Sequence, residues 1–376
     1  CTPTNGLNGI THHNGPGVIT SNTVSGCYEG AYFNNGYYGT YTFDLEIRGN
    51  TIEQGTATTP QRMGIHLQGG SYNARLVDNQ VSGGTYTIGA ISVVGNTTYH
   101  HPRIDVDSNT VTGAAGIGIR VREADTVVVD GNTVSGLAVT ETAREAGLTF
   151  ANVYVSGTVV RNAVTGNGVP GIYVDASAPG MVIDTNLVAD NTGLGILLKA
   201  PASGTLNSIR RNGTFGIIDS SSAGRSSFPA NNIEGNGFGV ANLASDTLFA
   251  TDVWWGDALG PQCDTALGCD AASTGDSVTA LVAWSPAAAD TVASAPAGAP
   301  PMTVSPVVAA VVRPARLVPS AALPAAPAMT EERPARPERR AEPTGAPATP
   351  LLDVLRDGRL VPVGGTPTAP REGRDE

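Results

Sequence analysis

Lysine is almost missing from this chain. Lys199 is the only one among 376 residues, and with arginine it makes 22 cations against 33 acidic side chains, a formal net charge of -11. No nucleic-acid partner is therefore expected, because phosphate recognition needs clustered Lys and Arg. Long hydrophobic runs are missing too. The stretch Val307 to Val312 (VVAAVV) falls far short of the roughly eighteen residues of a membrane span, so the chain does not read as transmembrane. Aromatic residues make up only 5%, and cysteine is limited to four. Two of these, Cys263 and Cys269, stand six residues apart with no histidine partner. That does not support a zinc site and suits a disulfide in an oxidising compartment.

What is abundant points to strands. The 47 glycines and 26 prolines, with plentiful Asn, Thr, Val and Ile, suit many short strands punctuated by turns and suit helices poorly. A small phrase recurs: an apolar residue, two more residues, Asn, and two positions on another apolar residue. The turn positions are taken as Asn22, Asn50, Asn79, Asn109, Asn132, Asn162, Asn186, Asn212 and Asn231, with Asp252 closing the series. The residue three before is apolar in ten cases of ten, and the residue two after in nine of ten, Thr214 being the exception. Intervals run from 19 to 30 residues. Columns that persist over uneven spacing mean fixed strands and variable loops, the habit of stacked coils.

A second phrase, Gly followed by an alternating apolar pair, starts at Gly9, Gly64, Gly118, Gly147, Gly171, Gly195, Gly216 and Gly239. Each coil is expected to carry this strand, a second strand ending three residues before the turn, and a short third strand after it. Asn tolerates the left-handed backbone of a sharp bend, and its amide both donates and accepts. Stacked turn residues should thus form a hydrogen-bonded ladder. With strands about 4.8 Å apart, ten coils make a rod of roughly 50 Å.

These columns, the turn Asn, the "GIxV" strands and the closing phrases "DVWWGDALGP" from Asp252 and "GDSVTALVAWSP" from Gly275 resemble the right-handed parallel β-helix repeat proteins of the pectin-lyase-like superfamily, in its secreted bacterial form. The resemblance covers residues 9 to 290. It implies an all-β chain, a single-stranded right-handed parallel β-helix of about ten coils, and leaves function open among lyases, hydrolases, epimerases, adhesins and surface proteins. Trp254, Trp255 and Trp284 are expected to cover its C-terminal end.

The domain division follows: a β-helix with its WWG cap over residues 1–290 and a tail over residues 291–376. From Pro286 onward lie 17 of the 26 prolines, interleaved with Ala, Arg and Glu. Such a Pro/Ala/Arg-rich segment buries too little apolar surface to fold and is expected to be disordered. At the other end, Cys1 reads as the lipidated first residue of a bacterial lipoprotein, or as a boundary of the chain, free or paired with Cys27. An extracellular or cell-surface location and a monomeric state are expected.

In enzymes of the superfamily the substrate groove runs along the outer side of the first strand, which the resemblance carries onto this chain. Outward positions there alternate with the inward apolar ones. They include His66 and Gln68, Ser92, Arg120 and Arg122, Thr149, Tyr173 and Asp175, and Lys199, before the face turns apolar at Ile218 and Ala241. A uronate lyase needs a cation against the substrate carboxylate and a Lys, Arg, His or Tyr to remove the adjacent carbon-bound proton. Arg120, Lys199 and Tyr173 are the catalytic candidates; His66, Gln68, Arg122 and Asp175 are the substrate-binding ones. Exposed strand positions must be filled by something, and Asp175 beside Lys199 also reads as an ordinary cross-strand ion pair.

No cofactor is expected and no metal ligands are assigned, although Asp107 and Asp130 should stack about 5 Å apart, near enough to share calcium. His12-His13 and His100-His101 do not read as metal pairs, since neighbours on a strand face opposite ways and the second pair is placed in a loop. "HPR" at His101 is not the Asp-Pro-His phrase of mannuronan epimerases, and neither the paired aspartates of polygalacturonases nor the calcium nonapeptide appears.

Two functions remain. One is an extracellular β-helix that binds, and cleaves by elimination, an acidic polysaccharide or cell-surface glycan. The other is a non-catalytic surface or adhesion solenoid, whose loop from Gly26 to Phe43, rich in Tyr, Asn and Gly, contacts a partner or covers the N-terminal end. The segment Leu137 to Gly147 is expected to overhang the groove as a lid or to form a short surface helix.

Overall fold

The structure, a computed structural model, describes residues 8–27, 29–34, 42–54, 61–69, 71–139, 146–222, 224–263 and 268–292. The chain divides into two units, Cys1–Thr303 and Val304–Glu376. The second lies outside the described residues. So do Cys1, residues 140–145 of the expected lid, and the expected tail beyond its first two residues.

Every long ladder is parallel, and among the described residues there is no helix. Ten first strands stack on one another, from Asn8–His13 through Glu29–Asn34, Gln61–Gln68 and Thr85–Val94 to Val240–Asn242. Second strands such as Thr42–Arg48, Ser71–Val77 and His101–Asp107 stack beside them. In the middle coils Ile119–Asp130 and Leu148–Val160 run through both stacks around the corner. A nine-stranded sheet of third strands, from Thr23–Ser25 to Asn232–Glu234, makes the remaining wall. The first unit is a parallel β-helix repeat protein.

Register follows from like residues lying over like. Ile65, Ile91, Ile119, Leu148, Ile172, Ile196, Ile217 and Val240 form one column. Val81, Val111, Val134, Val164, Val188, Ile209 and Ile233 form another. All are buried. Each such side chain contributes about 1.5–3 kcal/mol on leaving water, and a one-residue slip would turn its whole strand inside out.

The glycine that opens each first strand has a steric reason. A Cβ at Gly30, Gly64, Gly118, Gly171, Gly195 or Gly216 would stand 2.4–2.6 Å from the carbonyl oxygen of the next coil. Only hydrogen fits there. Ala90 takes the equivalent place beside the irregularity between Tyr86 and Gly89.

The asparagine ladder is present and nearly saturated. Asn79 Oδ1 accepts from the N–H and side-chain amide of Asn50, while Asn79 Nδ2 donates to Ile47 O at 2.8 Å and to Asn109 Oδ1 at 2.9 Å. The column runs Asn22, Asn50, Asn79, Asn109, Asn132, Asn162, Asn186, Asn207, Asn231. Asn207, not Asn212, therefore holds the turn in its coil. Three residues before it lies Gly204, whose missing side chain leaves room for Phe228 of the next coil, 2.9 Å from where a Cβ would sit. That gap hid the register.

Asn212 belongs to a second ladder, Asn167, Asn191, Asn212, Asn236, which ends on the carboxylate of Asp276. In the coil before it, Leu137 occupies this corner, and its N–H donates to Asn167 Oδ1. The left-handed residue at the bend is not Asn but the one before it: Ser21, Asp78, Ser108, Arg161, Thr185, Leu206 and Ala230 have φ between 51° and 58°. The bend accepts almost any side chain, and Asn is there for its amide.

Three further expectations change. Asp252 itself has φ 55° and stands at the bend position, since Asn232 pairs with Trp254; Val253 thus replaces Asn in the ladder, while Ala250 and Trp255 fill the inward columns in place of Phe249 and Trp254. Glu29–Asn34, inside the expected loop from Gly26, is a first strand with Ala31 and Phe33 inward. His101 is a fully buried strand residue, not part of a loop.

At the C-terminal end Trp255 is fully buried, Trp284 packs against the core, and Trp254 donates its indole N–H to Glu234. Cys263 and Cys269 form a disulfide. The N–H of Val292 donates to the side chain of Asn232.

Candidate functional site

The first-strand stack brings the sequence candidates onto one outer face. Tyr32, His66, Ser92, Arg120, Thr149, Tyr173 and Leu197 occupy successive strands of one row. Asn34, Gln68, Val94 and Arg122 start a second row. Backbone hydrogen bonds from Asp175 to Phe150 and from Lys199 to Val174 continue it through Asp175 and Lys199. All seven candidates therefore share a flank, with His66 and Gln68 toward the N-terminal end.

Their environments differ. Gln68 is exposed and accepts from Tyr32, whose hydroxyl also accepts from Asn34. His66 is buried; desolvation, then the charge of Arg120, lowers its pKa to about 4, so its ring is neutral at pH 7. Ser92 and Thr149, on either side of Arg120, are buried with hydroxyls that find no partner among the described residues, and the Nδ1 of His66 finds none there either. Tyr173 donates to Asp175 at 2.9 Å, and Asp175 is also held by the hydroxyl of Ser177 at 2.8 Å. Burial lowers the Lys199 pKa, against the opposing pull of Asp175. Beyond Lys199 the face closes over a separate apolar cluster of Leu194, Ile218 and Ala241 under Leu197, Phe215 and Phe238.

A second cluster, at the corner between first and second strands, escaped the sequence reading. Glu123 is 2% exposed and left-handed at φ 59°. Its carboxylate accepts from Arg122, from the amide of Asn152 and, closely, from the hydroxyl of Tyr154. An irregularity in register between Ala124 and Thr126 gives the neighbouring strand one extra residue. Such a bulge re-aims side chains: Tyr154 turns onto Glu123, and Val155 is left 74% exposed. His100 stacks on the Tyr154 ring at 4.2 Å and meets Asp125 at 2.9 Å. Asn152, left-handed at φ 51°, donates its N–H to Ser177, which ties this corner to Asp175. Despite its burial, the hydrogen bonds and Arg122 hold the Glu123 carboxyl below its ordinary pKa. Burial and the same carboxylate push Tyr154 up to about 12. Only the sequence "ANVY", one residue longer than its neighbour's path, carried a trace of this.

A depression of about 730 Å³ lies elsewhere, on the second-strand face between Val18, Glu46, Arg75 and Asp105. It is shallow, Arg103 pairs with Asp105 there and Arg48 with Glu46, and Asp44 accepts from the amide of Asn73. The first-strand face and its corner, with strained backbone and shifted ionisation, make the better site.

Among the described residues no three His, Cys, Asp or Glu side chains converge on a metal position. Asp107 and Asp130 are in register, but Asp130 is engaged by Arg161 and Asp107 by Ser108. No helix among the described residues is long and apolar enough to cross a membrane. Residues 89–252 match the family described as a right handed beta helix region. No curated protein and no solved structure matches the chain.

Proposed function

We propose that the chain binds an acidic polysaccharide along the outer face of its first strands, from His66 to Lys199, and acts on it as a lyase. The observation that carries this reading is that its single lysine joins Arg120 and Arg122 on one flank, in a chain of net charge -11. A uronate carboxylate would meet Arg120. Lys199, its pKa lowered by burial, would take the proton from the carbon beside that carboxylate. The glycosidic oxygen would then leave from the next carbon, taking that proton back from the Lys199 ammonium, and a carbon–carbon double bond would remain. Work outside the cytoplasm fits the Cys263–Cys269 disulfide.

The test is a panel of uronate glycans, read by binding and by absorbance of unsaturated chain ends. Arg120→Ala and Lys199→Ala should each weaken binding about tenfold or more, and Lys199→Ala should abolish product. Wild-type indifference to the whole panel would end the reading. A non-catalytic surface solenoid is the second reading, favoured by the burial of His66, Ser92 and Thr149 on the outward row. Binding without product would establish it.

A further inference from the structure

The corner around Glu123 has the chemistry of a contact surface and not of a proton-transfer site. Glu123 is held ionised by three donors, and the Tyr154 proton is committed to it, so neither group exchanges protons near neutral pH. What the buried carboxylate does is fix its donors. It anchors Arg122 from its own coil and Asn152 and Tyr154 from the next, and it does so from a backbone strained at both Glu123 and Asn152. Rigid presentation of a half-exposed ring is the result: Tyr154 is 46% exposed and backed on one side by His100. Around it stand the accessible guanidinium of Arg122, the carboxylate of Asp125 and the apolar Val155. An aromatic face ringed by a planar cation, an imidazole and a carboxylate matches a pyranose, which offers an apolar C–H face and a rim of hydroxyls.

We propose that this corner is a sugar-binding subsite, in which one pyranose ring packs on Tyr154 while Arg122, Asp125 and His100 bond its hydroxyls. It rests on the glycan-binding reading above and extends the bound chain around the corner from Tyr173 and Asp175, to which Asn152 and Ser177 link it. Glu123 is a positioning residue in this arrangement, because it touches no ligand.

The experiment titrates the full chain with hexagalacturonate by calorimetry, using Tyr154→Ala, Tyr154→Phe and Arg120→Ala beside the wild type. Loss of the ring should weaken binding about tenfold, while Tyr154→Phe, which keeps the ring and loses only the bond to Glu123, should weaken it less than about threefold. If Tyr154→Ala binds like the wild type while Arg120→Ala is weakened, the corner subsite is wrong and the face reading stands. If Tyr154→Phe loses as much as Tyr154→Ala, the hydroxyl and not the ring matters, and the stacking proposal fails. If the wild type binds nothing, both readings fall together.

Discussion

The two halves of the solenoid are built to different widths. From Asn22 to Asn162 neighbouring ladder residues are mostly 28–30 positions apart, with one step of 23. From Asn162 to Asn231 the steps are 24, 21 and 24. The narrow coils carry both asparagine ladders, and their outer face is packed with Leu194, Ile218 and Ala241. In the wide coils lie His66, His100 and His101, the outward row from Tyr32 to Thr149 and, where they meet the narrow ones, the Glu123 corner. Extra length in a coil goes into loops and bulges, which can aim side chains outward. Where the coil is cut to its minimum, fewer residues are left over from holding the turns, and the outward positions that remain are those of the short first strands, Tyr173, Asp175 and Lys199 among them.

Three measurements would break or sharpen this contrast. The largest effect is expected from Gly171→Val, whose side chain would be driven into the Gly195 carbonyl of a narrow coil. It should lower stability by about 4 kcal/mol or prevent folding, whereas Ala90→Gly in a wide coil should change it by less than about 1 kcal/mol. Denaturant titration reads both. If the two proved equal, the close stacking would not be what selects glycine.

Next comes the ladder. Asn186→Ala strips hydrogen bonds from two buried neighbours, Asn162 and Asn207, and should cost about 3 kcal/mol. Asn22→Ala, at the exposed first position, should cost less than about 1 kcal/mol. A similar loss at both ends would mean that burial is not what gives the ladder its worth.

The smallest effect per side chain comes from acid. His66 and His101 are held neutral by burial, with pKa values of about 4 against an ordinary 6.5. A depressed folded pKa means that their contribution is complete above pH 6.5 and is lost as pH falls from there toward 4. Each should remove about 2 kcal/mol between pH 7 and pH 5. Hydrogen exchange at the two pH values should show the wide coils opening first, with His101→Phe reducing the loss. Uniform weakening along the rod would contradict the division.

How far the sequence revealed this depended on how local each feature is. Inward columns such as Val81, Val111 and Val134 were legible because every coil needs the same apolar residue at the same place. Asn207 was misread as Asn212 because "NSIRRN" offers two asparagines five apart, and Ile209 satisfies either phrase; the two ladders need both. The bend residue was credited to Asn because left-handed Leu206 and Arg161 betray no preference in their side chains. Arg120, Arg122, Tyr173, Asp175 and Lys199 were placed on one flank by alternation alone. Glu123 and Tyr154 were not, since their meeting depends on a bulge that shifts register by one residue, and nothing in alternation announces it.

Every amide in both ladders is set the same way round: it donates to the amide oxygen of the following coil, and its own oxygen accepts from the amide of the preceding one. Such a column has a polarity, and its last member must meet a group that only accepts. The carboxylate of Asp276 is that terminator for the second column. A whole turn of the spiral could therefore be duplicated or deleted anywhere inside, with each bond re-forming to its new neighbour, but none could be appended after the terminator. The ladder thus sets no count of turns, only how the last of them must end.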